Sequence, residues 1–228
     1  MHDASQHAPR GHAPREAAQE AAREAAQDAA ASSDSVKRVQ SRRGSREALR
    51  RMGFATRITP ELMEYVSERD SVYLGTAGAS GQPYIQHRGG PPGFIRRVGE
   101  NTLGFADHRG NRQYISTGNL LENPKAFLFL MDYEARHRVK LWGTVRLVED
   151  DPALLAALMP EGYAARPVQA VLFDVAAWDS NCPSHIPRKI GADAVAARVQ
   201  ALTARIEDLQ RRNIELAGEV DRLRRLTR

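Results

Sequence analysis

Hydrophobic positions repeat with two different periods along this chain. Between Phe54 and Phe173, short alternating or apolar runs separated by Gly, Pro and Asn predict β-strands. After residue 191, apolar residues recur every seven positions and predict one long helix. The N-terminal residues follow neither period: HAPR occurs twice and precedes the repeat EAAQEAAREAAQDAA. We therefore expect a disordered, Ala-rich tail at 1–34, a β-domain at 35–190 and a coiled-coil helix at 192–228.

The expected β-domain is predicted to consist of short strands with short helices between them. Strands are predicted at 71–77, 84–88, 94–98, 102–106, 125–131, 138–148 and 169–175. Helices are predicted to begin after Thr59, to span 111–123, and to begin at Asp151-Pro152. No G-x-G-x-x-G lies between a strand and a helix, which disfavours a doubly wound sheet. About six strands with short connections instead indicate a mainly β fold, a small antiparallel barrel.

The C-terminal repeat consists of two interlocked heptad series. The d series is Val195, Leu202, Leu209, Leu216 and Leu223, and the a series is Val199, Ile206, Asn213, Val220 and Thr227. β-Branched residues at a with Leu at d favour a parallel two-stranded coiled coil, in which the buried Asn213 sets register and strand number. The alternative is an amphipathic helix folded back on its own domain. A DNA-binding zipper is excluded because Pro183, Pro187 and Gly191 interrupt the region upstream.

Composition narrows the choice of partners and compartment. The net charge is +5, and much of the excess lies at 37–51 and 222–228. We expect the first of these segments to be an arm that packs on the domain through Val36, Val39, Leu49 and Met52, and we do not expect a nucleic-acid partner. With the single cysteine Cys182, no intrachain disulfide or Cys-based zinc cage can form. No apolar run reaches the ~20 residues of a membrane span, so the expected location is the cytoplasm.

Arginine and glycine meet in two predicted turns, 88–90 and 109–112. Guanidinium groups beside glycine-opened backbone suit a phosphate, so Arg88, Arg112 and Lys140 are candidate phosphate ligands. The amides of Asn111, Gln113 and Asn119 suit the edge of a planar heterocycle. The alternatives are solvated strand-end charges and, for Asn111, a helix cap. No catalytic triad, metal-ligand spacing or paired carboxylates are evident, so no catalytic residue is assigned and any chemistry is expected from a cofactor.

The segment from Trp178 to Lys189 is polar and rich in proline. We interpret it as a stiff loop that closes over a bound ligand with an aromatic ring, an imidazole and two cations. No base is positioned beside Cys182, which favours a buried thiol over a nucleophile. The sequence pattern does not decide whether His185 is an acid–base group or an ordinary loop residue.

Four segments together carry a resemblance: SERDSVYLGTAGASGQPYIQHRGGPPGF, LGFADHRGNRQYISTGNLLENPKAFLFLMD, RVKLWGTVRLVED and FDVAAWDSNCPSHIPRK. From about Ser35 to Lys189 the chain resembles the pyridoxamine 5'-phosphate oxidase-related FMN-binding split-barrel family, in particular its branch of flavin-nucleotide-binding proteins. The resemblance implies a six-stranded split barrel and a homodimer that holds FMN in two clefts at its interface.

The resemblance also implies individual roles. Arg88, with Gly89 beside it, and Arg112 are expected at the phosphate, and Asn111-Arg112-Gln113 replaces a Ser-Arg-Lys turn. Arg138 and Lys140 are expected along the flavin, and Trp178 and Arg188 as the C-terminal pair that reaches the partner subunit's site. Because His185-Ile186-Pro187-Arg188 departs from the substrate signature, vitamin B6 oxidation is not expected. The implied function is an FMN-dependent oxidoreductase. The alternatives are a flavin sensor or carrier that docks a partner through its coiled coil, and FAD, a deazaflavin or haem in place of FMN.

Overall fold

A computed structural model describes residues 32–181 and 184–227 of the chain, without the side chain of Asn181. The expected tail therefore lies outside the described residues except for its last three positions, and so does the expected thiol of Cys182. The chain forms two units, one comprising Met1–Asp132 with His137–Pro183 and the other Tyr133–Arg136 with Ser184–Arg228.

Seven antiparallel strands make up the sheet of the first unit in the described part of the chain. They are β1 (Ser71–Ala77), β2 (Pro83–Gly89), β3 (Arg96–Arg97), β4 (Thr102–His108), β5 (Lys125–Asp132), β6 (His137–Val148) and β7 (Pro167–Asn181). Their order is β2-β1-β5-β6-β7-β4-β3. The antiparallel sheet predicted from the alternating runs is confirmed, with seven strands instead of six. The strand predicted at 94–98 is shorter in the structure, where β3 is only two residues long.

The hydrophobic core of the first unit consists of inward-facing side chains of the strands and of one helix. Leu74, Leu128, Leu141 and Phe173 are at most 1% exposed. Helix α3 (Pro60–Ser67) adds further apolar side chains to this core, including Leu62 and Val66. It begins as predicted, because the hydroxyl of Thr59 accepts a hydrogen bond from the backbone N–H of Leu62 at 3.2 Å.

Two short helices precede α3, namely α1 (Asp34–Arg42) and α2 (Arg46–Met52). The prediction that this arm packs on the domain is wrong for its apolar residues, since Val36, Val39, Leu49 and Met52 are 39–77% exposed. Each helix is too short to present more than two apolar positions on one face, and polar or charged residues occupy most of the others. In a single chain, these hydrophobic side chains of the arm are therefore exposed to solvent.

Two further predictions need correction at their boundaries. The helix predicted over 111–123 is α4 (Ile115–Glu122), because Arg112 and Tyr114 have left-handed backbone, with φ of 60° and 54°. The last strand was predicted to end at Val175, but β7 continues to Asn181 and pairs with β6 along that length. Trp178 therefore lies in a strand and not in a loop. Helix α5 (Pro152–Leu158) begins as predicted after Asp151.

Glycine is required at one position of the sheet. The register of β6 on β7 shifts between Trp142 and Gly143, which marks a β-bulge. A Cβ at Gly143 would lie 2.2 Å from the carbonyl oxygen of Asp174 and 2.7 Å from the ring of Phe173. Only a residue without a side chain allows the two strands to approach this closely.

The second unit consists mainly of α6 (Ala192–Leu226), a helix of 35 residues with no buried side chain. The long helix is confirmed, and the hydrophobic members of its two heptad series are 45–59% exposed. In the same unit, the backbone N–H of Lys189 donates to the carbonyl of Tyr133 at 3.3 Å, and its ammonium group lies 4.2 Å from the Tyr133 ring centre. No helix in the described ranges has the length and apolar character needed to cross a bilayer.

Candidate functional site

A cleft of about 160 Å³ opens in the first unit along one face of β2 and at the C-terminal end of β4. The turn after β4, the first residues of α4 and the start of β7 form its other walls. A register shift of β4 on β7 at Asp107 and His108 lies next to the cleft and redirects these side chains. The lining residues are Tyr84, Gln86, Arg88, Asp107, His108, Arg109, Gly110, Asn111, Arg112, Gln113, Tyr114, Ile115, Ser116, Thr117, Val168 and Gln169.

A chain of polar contacts crosses the floor of the cleft. Arg88 Nε lies 3.1 Å from Asp107 Oδ1 without the direction of a hydrogen bond, and Arg88 Nη2 donates weakly to Oδ2 at 3.5 Å. The amide of Gln169 donates to Asp107 Oδ2 at 3.0 Å and to the hydroxyl of Thr117 at 3.2 Å. The side chains of Arg88 and Asp107 are 20% and 10% exposed. This mostly buried network joins β2, β4, β7 and α4.

The turn after β4 presents cations and amides at the mouth of the cleft. Asn111 Oδ1 accepts from the backbone N–H of Gln113 at 3.1 Å, and its Nδ2 donates to Gln113 Oε1 at 3.3 Å. Asn111 is therefore not a helix cap, since Tyr114 holds the N-cap position and makes no side-chain capping bond. Arg109 and Arg112 are exposed, and among the described residues neither guanidinium has a carboxylate partner.

Besides Arg88 Nε, two buried polar atoms at the cleft have no hydrogen-bond partner among the described residues, Ser116 Oγ and His108 Nδ1. Ser116 is only 5% exposed and lies in the first turn of α4. Burial lowers the pKa of His108, although the neighbouring Asp107 opposes this shift. The imidazole also meets the ring of Tyr163 edge-on at 5.4 Å. His108 is therefore expected to be neutral at pH 7.

Four of the ten predicted site residues line the cleft: Arg88, Asn111, Arg112 and Gln113. Two others lie near these elements but outside the lining, since Gly89 ends β2 against Ser71, and Asn119 donates from α4 to the hydroxyl of Thr76 at 3.1 Å.

The remaining four predicted residues lie on β6, on β7 and in the second unit. Lys140 pairs with Asp179 at 3.0 Å, while Arg138 stands two residues before it on β6. The indole N–H of Trp178 donates to the carbonyl of Arg57 at 2.8 Å, and its ring packs against the core. Arg188 is exposed in the second unit.

Several lining residues were not predicted, and only some had a signal in the sequence. Tyr84 and Gln86 alternate with Arg88 along β2, so the period of two places all three on one face. Ser116 and Thr117 follow the turn at 109–112 after three residues and offer hydroxyl donors in the first turn of α4. Gln169 had no local signal, because only the register of β4 on β7 brings it opposite Asp107.

The charges that remain at the cleft suit an anion. Asp107, the only carboxylate of the lining, pairs with Arg88, which leaves Arg109 and Arg112 uncompensated beside the N-terminus of α4. The volume is below the ~300–1,000 Å³ of a typical small-molecule pocket, so one chain encloses only part of a nucleotide-sized ligand. Within the described residues, no three His, Cys, Asp or Glu side chains are grouped to hold a metal ion.

The family model described as pyridoxamine 5'-phosphate oxidase matches residues 58–182, which is more than half of the chain. The chain belongs to this family. The cleft and all of its lining residues lie within the matched range. No curated protein matches the chain.

Among solved structures, an FMN-binding protein from Syntrophomonas wolfei is 14% identical, covering 63% of this chain and 97% of its own, with a TM-score of 0.41. HupZ from Group A Streptococcus is 18% identical over 59% of this chain and 99% of its own, with a TM-score of 0.44. The heme storage protein HutZ from Vibrio cholerae is 17% identical over 53% of this chain and 90% of its own, with a TM-score of 0.35. Likenesses of this size do not assign a ligand.

Proposed function

We propose that this protein is a flavoprotein that binds FMN, with the phosphate end of the cofactor in the cleft beside β2 and α4. One observation carries the proposal: residues 88 and 111–113, predicted from sequence as phosphate and heterocycle ligands, line one cleft together. Membership of the pyridoxamine 5'-phosphate oxidase family supports it, because the cleft lies inside the matched range. FMN joins a dianionic phosphate to a planar ring, and the cleft offers uncompensated guanidinium groups next to amides.

The flavin ring is proposed to extend beyond the cleft of one chain. A volume of about 160 Å³ is too small for the whole cofactor. We infer that a second copy completes the site, in agreement with the homodimer that the resemblance implies. Arg188 is the better candidate of the C-terminal pair to reach the partner's site, because it is exposed whereas the indole of Trp178 is held by Arg57. Arg138 and Lys140 remain proposed for the ring.

The second copy is also proposed to pair along α6. The hydrophobic members of the two heptad series are about half exposed along the 35 residues of the helix. Because exposed apolar side chains are unfavourable in water, a second helix that covers them would stabilise α6. At the g positions that flank this seam, Arg205 and Arg212 pair with Asp208 at 2.9 Å and 3.3 Å. These intrahelical pairs neutralise part of the arginine charge that would otherwise oppose association.

The proposed activity is oxidoreduction with a small-molecule substrate. FMN, when bound, supplies electron or hydride transfer. The chain's own contribution is to bind and orient: Arg112 and the helix N-terminus bind the phosphate, while the amides of Asn111 and Gln113 face the rest of the cofactor. The buried Arg88–Asp107–Gln169 network holds the wall of the cleft in place.

One observation favours a second candidate function, a flavin sensor or carrier without turnover. The only carboxylate of the cleft, Asp107, is committed to Arg88 and Gln169 and is not available as a general acid or base. The exposed seam of α6 would then dock a partner protein. Steady-state reduction of the bound flavin by NADH or NADPH distinguishes the two functions, since sustained turnover contradicts a carrier.

The proposal is tested with the purified full-length protein. We expect a flavin absorption spectrum, FMN as the ligand identified by mass spectrometry, and saturable binding when ligand-free protein is titrated with FMN. A Soret band, a deazaflavin mass or FAD would each show that the cofactor is a different one. Protein that binds none of these ligands would refute a cofactor-binding role for the cleft.

A further inference from the structure

We propose that Arg109, together with Arg112, provides the charge that binds the phosphate, and that Arg88 positions the cleft wall without binding phosphate itself. This inference rests on the proposed function. It assigns a specificity-determining role to Arg109, because a ligand with a dianionic phosphate monoester would be preferred over the same ligand without one. It also separates the three arginines of the cleft into two that are open to a ligand and one that is not.

The charge of Arg88 is already compensated inside the protein. Its Nε lies 3.1 Å from one oxygen of Asp107, and its Nη2 lies 3.5 Å from the other. Both side chains are mostly buried, so solvent screens this pair little. A phosphate bound to Arg88 would also lie near the carboxylate of Asp107, and the two anions would repel each other.

Arg109 and Arg112, unlike Arg88, have guanidinium groups that are open to a ligand. Both are exposed cleft residues, and within the described ranges their guanidinium groups have no carboxylate partner. The backbone N–H of Arg109 donates to the carbonyl of Arg166 at 3.1 Å, and Arg112 has a left-handed φ of 60°. The two cations on this turn match the two negative charges of a phosphate monoester.

A second, independent feature points to an anion at the same place. Ser116 is 5% exposed, lines the cleft in the first turn of α4, and has no hydrogen-bond partner for its Oγ among the described residues. A buried hydroxyl without a partner is costly, and an acceptor oxygen in the cleft would satisfy it. The N-cap residue Tyr114 makes no side-chain capping bond, so the backbone N–H groups of this helix end lack that competitor for an anion.

The test compares FMN with riboflavin, which has the same ring and no phosphate, on ligand-free full-length protein by flavin fluorescence. We expect Arg109→Gln to raise the Kd for FMN about tenfold or more, which corresponds to the loss of one charge-assisted hydrogen bond, and to leave the Kd for riboflavin unchanged. It should also reduce the slope of log Kd for FMN against log salt concentration. The matched control is Arg51→Gln, which removes the same charge from an exposed residue of α2 outside the lining and should change neither quantity.

Arg88→Gln serves as the positioning variant. We expect it to raise the Kd values for FMN and riboflavin by similar factors, because it disturbs the wall of the cleft and not the phosphate contact. The inference is overturned if Arg109→Gln behaves like Arg51→Gln, or if Arg88→Gln lowers the preference for FMN over riboflavin more than Arg109→Gln does. Wild-type protein that binds both flavins equally also overturns it while leaving flavin binding intact. Wild-type protein that binds neither flavin refutes the proposed function itself.

Discussion

Replacing Asp107 with Asn tests the buried ion pair of the cleft as a stabilising contact. The substitution keeps the shape of the side chain and an oxygen that can accept from Gln169, but it leaves Arg88 without a counter-charge. At 3.1 Å and an effective dielectric constant of about 20, the gross attraction is about 5 kcal/mol. Desolvation offsets much of this, and loss of one partner from a fully buried pair costs ~3–5 kcal/mol. Because the two side chains are 20% and 10% exposed, we expect a loss of about 2 kcal/mol.

Thermal unfolding followed by circular dichroism measures this loss in the full chain. For a protein of this size, about 2 kcal/mol corresponds to a decrease in Tm of roughly 4–8 °C. Glu100→Gln is the matched control, since it removes a carboxylate from the pair with Arg57, whose side chains are 59% and 79% exposed. That control should cost at most about 0.5 kcal/mol. Equal Tm values for Asp107→Asn and Glu100→Gln would refute the view that the cleft pair is a buried, stabilising contact.

Three further changes test other parts of the molecule. Gly143→Ala places a Cβ 2.2 Å from the Asp174 carbonyl and should cost about 3 kcal/mol or more in urea unfolding; an unchanged midpoint would contradict the bulge geometry. Hydrogen bonding from Arg146 lowers the pKa of Asp174, so the stability it contributes is present above the unfolded pKa of about 3.9 and is lost as pH falls through the lower folded value. Arg146→Gln should therefore cost less than about 1 kcal/mol at pH 7 and nothing near pH 2, and a loss that is independent of pH would argue against this linkage. Asn213→Val should relax the oligomer preference of α6, and a strictly dimeric species in light scattering would count against a specifying role for Asn213.

Local patterns in the sequence were sufficient for the elements whose residues carry their own signal. Alternation predicted β1 and most of β2, and the Thr59-Pro60 pair predicted the start of α3, because capping and fixed φ act within a few residues. The start of α4 was placed too early because nothing in Arg112 or Tyr114 announces a left-handed conformation. The end of β7 was missed because Trp178 to Asn181 look polar, and only pairing with β6 keeps them in the sheet.

For the site, the sequence located the turn that carries Asn111, Arg112 and Gln113, since its Arg, Gly and Asn residues are adjacent in the chain. It chose Arg88 for its charge beside a glycine turn and for the family resemblance, and could not predict that Asp107 pairs with it. Whether an arginine is free to meet a ligand depends on its neighbours in space, and Asp107 comes from a different strand. The same limitation explains why Arg109 was passed over as part of a turn, although it is one of two uncompensated cations there.

By itself, the sequence determined the strand-rich middle, the heptad helix, the family and the turn at which cations gather, because each of these depends on residues close together in the chain. Only the tertiary structure decided that β2, β4, β7 and α4 meet around one cleft and that Asp107 faces Arg88. It also decided that Lys140 pairs with Asp179 and that the indole N–H of Trp178 donates to the carbonyl of Arg57. These contacts depend on strand register and on burial, and burial sets how strongly a charge is screened, which no local pattern of residues contains.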